Sequence, residues 1–177
     1  MADWLYEEGI GEDRAILVEA GEIVEAAIEL PAGLRAGAVV PARLIRILAP
    51  GRRGIAAFES GHEALVEPLP TSLTEGAAFR AEIVREAIPE PGRPKLAKAR
   101  LTDAEPRAGP SLKQRLGNAA HHPRHGPDRF EQVGWSELLE QAASGEIPFV
   151  GGALRISLTP AMTLFDVDGA LPPAELA

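Results

Sequence analysis

From Trp4 to Leu30 short apolar runs are set between polar and turn residues, the mark of short strands. Two or three strands are predicted there, over 4–6, 14–18 and 23–30. Ala20-Gly21 between the last two is a hairpin signal, because glycine takes the positive φ that tight turns need. Pro31-Ala32-Gly33 breaks the pattern, and five more strand-like segments follow at 39–48, 54–58, 64–67, 78–87 and 95–101. Five short strands at this spacing, with turn residues between them, predict a small barrel of the OB type.

The stretch 102–129 is rich in Pro, Gly, His and Arg and reads as a linker, with one short helix at 111–116 for which Ser111 is the N-cap. A second helix is predicted over 135–143, where Trp135, Leu138, Leu139 and Ala142 recur at helical spacing and Ser144-Gly145 is the stop. A second meander closes the pattern, with strands at 148–150, 152–157 and 161–166. The fold class expected is α+β and strand-rich. Its parts are an N-terminal meander (1–35), an inserted OB-type barrel (36–103), a linker (104–130) and the start of a second domain (131–177).

Composition narrows this picture. A chain of 177 residues, 45% hydrophobic and 25% charged, is globular, but with 5% aromatic residues its cores must be built from Val, Ile, Leu and Ala. The net charge of −8 excludes a protein that coats nucleic acid by bulk electrostatics, so any such contact must be local. The absence of cysteine excludes disulfides, thiolate zinc sites and cysteine nucleophiles. The first residues form neither a signal nor a transit peptide, and no apolar run approaches a membrane span, so a cytoplasmic bacterial protein without a membrane partner is expected.

Basic residues fall on two barrel segments. Arg43, Arg46, Arg52 and Arg53 lie on the first strand and its turn; Arg93, Lys95, Lys98 and Arg100 lie at the last. If the first strand pairs with the last, or nearly so, they gather into one basic face on an acidic protein. The same charges also read as a solvated surface balancing nearby glutamates, and the pattern leaves both readings open.

The segment with most chemical content runs Gly151-Gly152-Ala153-Leu154-Arg155-Ile156-Ser157-Leu158-Thr159-Pro160, then Ala161-Met162-Thr163-Leu164-Phe165-Asp166-Val167-Asp168-Gly169-Ala170. It is a glycine pair, a strand, a threonine-containing turn, and a strand ending in Asp-x-Asp. Residues two apart share a strand face, so Asp166 and Asp168 point the same way, and hard Mg²⁺ takes such oxygen ligands. An Asp-Val-Asp-Gly that merely terminates a surface strand is the bland alternative.

This segment resembles the catalytic hairpin of RNase E/G ribonucleases, which ends in an Ile-Asp-x-Asn-like motif whose aspartate binds magnesium. The resemblance implies that Asp166 is the metal ligand and that Asp168 stands where the family has an asparagine. The order of opening strands, inserted barrel and return through Trp135 resembles the family along nearly the whole chain, while motif identity is confined to its last part. It implies a Mg²⁺-dependent endoribonuclease acting on single-stranded RNA, with a homo-oligomer compatible. The chain resembles a compact member without the segment that senses the RNA 5′ end.

Three departures accompany the resemblance. Phe58 is the only aromatic near the barrel strands on which the family stacks bases, so RNA contact is expected to be charge-led. Asparagine is replaced by Asp168, and the family's second metal-binding aspartate is expected beyond Ala177. A non-catalytic OB-type RNA-binding adaptor is therefore carried as an alternative. Leu164 to Leu171 also resembles the first motif of haloacid-dehalogenase-type phosphatases, in which the first aspartate is a nucleophile. His121, His122 and His125 lie in a Pro-broken loop and read as polar linker residues rather than metal ligands.

Overall fold

The computed structural model describes residues 3–31, 33–90, 94–121, 126–159 and 162–170. Arg93, His122, His125, Pro160 and Ala161 lie outside the described residues. The described chain is strand-rich, with few helices, and contains a closed five-stranded barrel.

The opening meander is β1 (Asp3–Glu8), β2 (Asp13–Glu19) and β3 (Glu22–Glu29), antiparallel throughout. Ala20 and Gly21 both take positive φ, 52° and 89°, the pair of left-handed residues that a tight hairpin with right-twisted strands requires. The sheet is covered on both sides. On one, Leu5 and Ile16 pack with Phe130 and Trp135; on the other, Tyr6 and Ala15 pack with Leu112. The buried Tyr6 hydroxyl donates to Asp13 Oδ2 at 2.8 Å, and burial together with that carboxylate pushes the phenol's pKa up.

The barrel is β4 (Val39–Ala49), β5 (Arg53–Phe58), β6 (Glu63–Val66), β7 (Ala78–Arg85) and β8 (Ala97–Leu101), closed in the order β4-β5-β6-β8-β7. The first strand nearly meets the last: β7 lies between β4 and β8, and β8 pairs in parallel with β6. The core is small-bodied. Ala38, Ala42, Ala56, Ala64, Ala81, Ala97 and Ala99 fill it around Leu44, Phe58, Val66, Leu69 and Ile83, which is how a chain poor in aromatics closes a barrel at interior packing density.

The segment read as a linker contributes structure of its own. Arg107 bridges to Val39, and α1 (Leu112–Leu116) follows, opened by the predicted N-cap. The Ser111 side chain accepts from the Gln114 N–H while the Gln114 side chain accepts from the Ser111 N–H, a reciprocal capping box. A two-residue strand, β9 (Ala120–His121), then adds to β1 in parallel.

A 3₁₀ turn (Glu131–Val133) leads into α2 (Trp135–Ser144), which ends at the expected stop, Gly145. The last sheet is β10 (Glu146–Phe149), β11 (Gly152–Leu158) and β12 (Thr163–Gly169), a continuous antiparallel meander whose nearest neighbour outside itself is α2.

One carboxylate ties the barrel to the meander. Glu29, at the end of β3, has a side chain only 8% exposed. Its Oε1 lies 2.7 Å from Arg35 Nη2 on the way into the barrel. Its Oε2 accepts the Leu112 backbone N–H at 2.6 Å and lies 3.7 Å from Arg115, both on the way out. Glu29→Ala is expected to reduce the free energy of unfolding by about 2 kcal/mol, the scale of a charged hydrogen bond removed from a buried site. Urea denaturation checks this; a change below about 0.5 kcal/mol would match an ordinary surface substitution and remove the clasp's structural role.

Candidate functional site

Two groups of charged residues stand out, one basic on the barrel and one acidic on the last hairpin. Along β4 the alternation of faces would send Arg46 inward after the fully buried Leu44. A bulge between these two residues turns Arg46 out. A second bulge, between Ile83 and Arg85, does the same for Arg85. The barrel register then joins Arg46 to Ile55, Ile55 to Leu65, Leu65 to Lys98 and Lys98 to Arg85, an outer row with cations at its ends.

The predicted basic residues divide by their engagement. Arg43 donates to the Gly76 carbonyl, Lys95 pairs with Glu90, and Arg100 pairs with Glu82 at 2.7 Å. Lys98 pairs with Glu67 at 3.0 Å. That hydrogen bond, the Lys98 charge and the nearby Arg53 and Arg52 hold the Glu67 carboxyl below its usual range, so the last two residues lie in the same neighbourhood. Among the described residues, the side chains of Arg46, Arg52 and Arg53 make no hydrogen bond or ion pair, and all three are exposed. Of the predicted basic residues described, they are the ones available to an external anion.

Phe58 requires correction as an RNA-binding residue. It is 7% exposed and belongs to the barrel core, because Gly54, Ala56 and Phe58 form the inward-facing set of β5. Its ring has no face open to a base. Arg85, which the sequence pattern does not single out, joins the row instead; it donates to the Leu96 carbonyl at 2.8 Å. Simple alternation after the buried Ile83 assigns Arg85 to the inner face, which hides it from the sequence pattern.

On the last sheet, β12 presents Asp166 and Asp168 on one face, as two-residue spacing on a strand requires. Both are exposed. The register sets Glu146 opposite Arg155 and Arg155 opposite Asp166. Arg155 Nη1 donates to Asp168 Oδ2 at 3.1 Å, and Arg155 Nε to Glu146 Oε1 at 3.4 Å. One guanidinium therefore sits among three carboxylates. No cluster of three or more metal-ligating side chains occurs among the described residues. The other face of this sheet is apolar, with Phe149, Leu158, Phe165 and Val167 all more than a third exposed.

No family model matches the chain, and no curated protein matches it. No helix among the described residues is long and apolar enough to cross a membrane.

The division between free and paired arginines has a measurable consequence. Replacing both Arg52 and Arg53 by Gln is expected to weaken binding of a single-stranded polyanion such as poly-U and to flatten the log–log salt slope by about 0.7 for each phosphate no longer neutralised. Arg100→Gln, which removes a cation already held by Glu82, should change the salt slope by less than half as much. Fluorescence anisotropy across a salt series measures both, and equal effects would show that pairing does not govern this surface.

Proposed function

We propose that this chain carries the RNA-holding barrel and one arm of the catalytic site of a magnesium-dependent endoribonuclease of the RNase E/G type, acting on single-stranded RNA. The observation that carries the reading is the exposed pair Asp166 and Asp168 on one face of β12, in a hairpin that follows the barrel in chain order. The barrel supports it. Five strands closed into one barrel are compatible with an OB-type barrel, a scaffold that binds oligonucleotides.

The donor set fits magnesium, a hard cation commonly held by one or two carboxylates with water completing its shell. Asp166 and Asp168 are the residues that would hold it. When bound, it would neutralise charge on a phosphoryl group and activate water. This chain's own side chains do the rest of what the reading needs. Arg46, Arg52 and Arg53 offer side chains without an ion pair to the phosphate backbone. With Phe58 buried, that grip rests on charge rather than base stacking.

A second reading, a non-catalytic RNA-binding adaptor, is favoured by one observation: Asp168 is already engaged by Arg155. Cleavage of a fluorescently labelled single-stranded RNA with and without Mg²⁺ separates the two. Mg²⁺-dependent cutting that drops by about a hundredfold or more in Asp166→Asn is expected of the nuclease, the scale of removing a metal ligand from a site whose ion stabilises developing charge. RNA binding without cutting, equal in both proteins and indifferent to Mg²⁺, would establish the adaptor.

A further inference from the structure

Arg155 is the one group on the acidic face that the nuclease reading does not require. Glu146, Arg155 and Asp166 are register partners across β10, β11 and β12, and Asp168 is the next residue on the same face of β12. Neighbouring strands stand about 4.8 Å apart, so three carboxylates crowd into a strip about 10 Å wide. Like charges at that spacing repel, and Arg155 is the cation that neutralises them, by its contacts with Asp168 and Glu146. The Asp166 side chain, directly opposite it, has no hydrogen bond or ion pair among the described residues.

Resting on the reading of Asp166 and Asp168 as the metal-holding pair, we propose that Arg155 is a built-in competitor for that pair. Its guanidinium and a divalent cation contend for the Asp168 carboxylate, so cation binding requires Arg155 to release it. Exposure sets the strength of the contest. The Arg155 side chain is 52% exposed and that of Asp168 61%, so water and salt weaken their pairing to the level of a surface ion pair. Arg155 therefore weakens cation binding without abolishing it. A second consequence concerns specificity: the contest disfavours weakly held cations and leaves the site to those present at high concentration or able to take both carboxylates at once.

The test uses Mn²⁺ as the probe, with free ion counted by electron paramagnetic resonance, on the full chain and on Arg155→Gln, Arg155→Lys and Asp168→Asn. Arg155→Gln is expected to bind Mn²⁺ about two- to fivefold more tightly, the factor that an exposed ion pair is worth. Arg155→Lys, which keeps the charge, should stay near the parent, and Asp168→Asn should bind more weakly. In the parent, added Mg²⁺ should also shift the ¹⁵N resonance of the Arg155 Nε–H, a response that a purely structural arginine would not give. Equal or weaker Mn²⁺ binding by Arg155→Gln, with binding itself intact, overturns the competition and leaves the metal site standing. Absence of Mn²⁺ binding in the parent and in Arg155→Gln overturns the metal reading and this inference together.

Discussion

Everything in the arrangement of the first two units hangs on the neck where the chain leaves the meander for the barrel and comes back. An insertion of this kind brings two connecting segments side by side, and each must satisfy its backbone without a sheet to belong to. Glu29 resolves this by offering a carboxylate to both: Arg35 on the outgoing segment, the Leu112 N–H and Arg115 on the return. The contact also occupies one of the orphan N–H groups at the start of α1, where negative charge is favoured. Packing reinforces it. A side chain at Gly109 would put its Cβ 2.7 Å from both the Ala36 carbonyl oxygen and Arg35 Cβ, so the two segments approach as closely as they do only because that position has none.

Once the neck is fixed, the barrel's own needs determine where charge can go. A core filled largely by alanine draws the strands inward and leaves long polar side chains the outer surface. Bulges then decide which arginines join that surface. Were Leu44, Ile45 and Arg46 to alternate without the bulge, Arg46 would face a dry interior, where an unpaired guanidinium is not tolerated. The basic row is thus a product of strand irregularity. Its free members cluster toward the turn between β4 and β5, where Glu67 and Lys98 already neutralise each other.

Much of this is legible in the sequence, and what is not has identifiable causes. Short apolar runs between turn residues mark the strands of the meander and barrel, and Ser111 signals the start of α1, because those features depend on neighbours within a few residues. Strand order does not follow from local pattern: placing β7 between β4 and β8 is a choice made by the closed barrel as a whole. Phe58 misleads because an aromatic on a barrel strand suggests a stacking platform, whereas its parity with Ala56 assigns it to the core. A linker reading of 104–130 catches the capped helix but misses the bridge and the short strand that the same Pro- and Gly-rich return carries. For the acidic site, Asp166 and Asp168 are visible as a pair from spacing alone. The partnership with Arg155 is not, since it needs the cross-strand register.

The last sheet shows how chemistry and stability can be kept on separate faces of one small element. Period-two alternation puts Glu146, Arg155, Asp166 and Asp168 on one side of the meander, while Ile147, Leu154, Ile156, Phe165 and Val167 fall on the other. A one-residue slip of β12 against β11 would exchange the faces, moving the aspartates among the apolar side chains and away from Arg155. The cross-strand pairing of Arg155 with Asp168 opposes that slip, because it exists only in the observed register. The same ion pair therefore favours the register in which both aspartates share one face. A surface pair of modest strength biases the register of an exposed sheet without locking it.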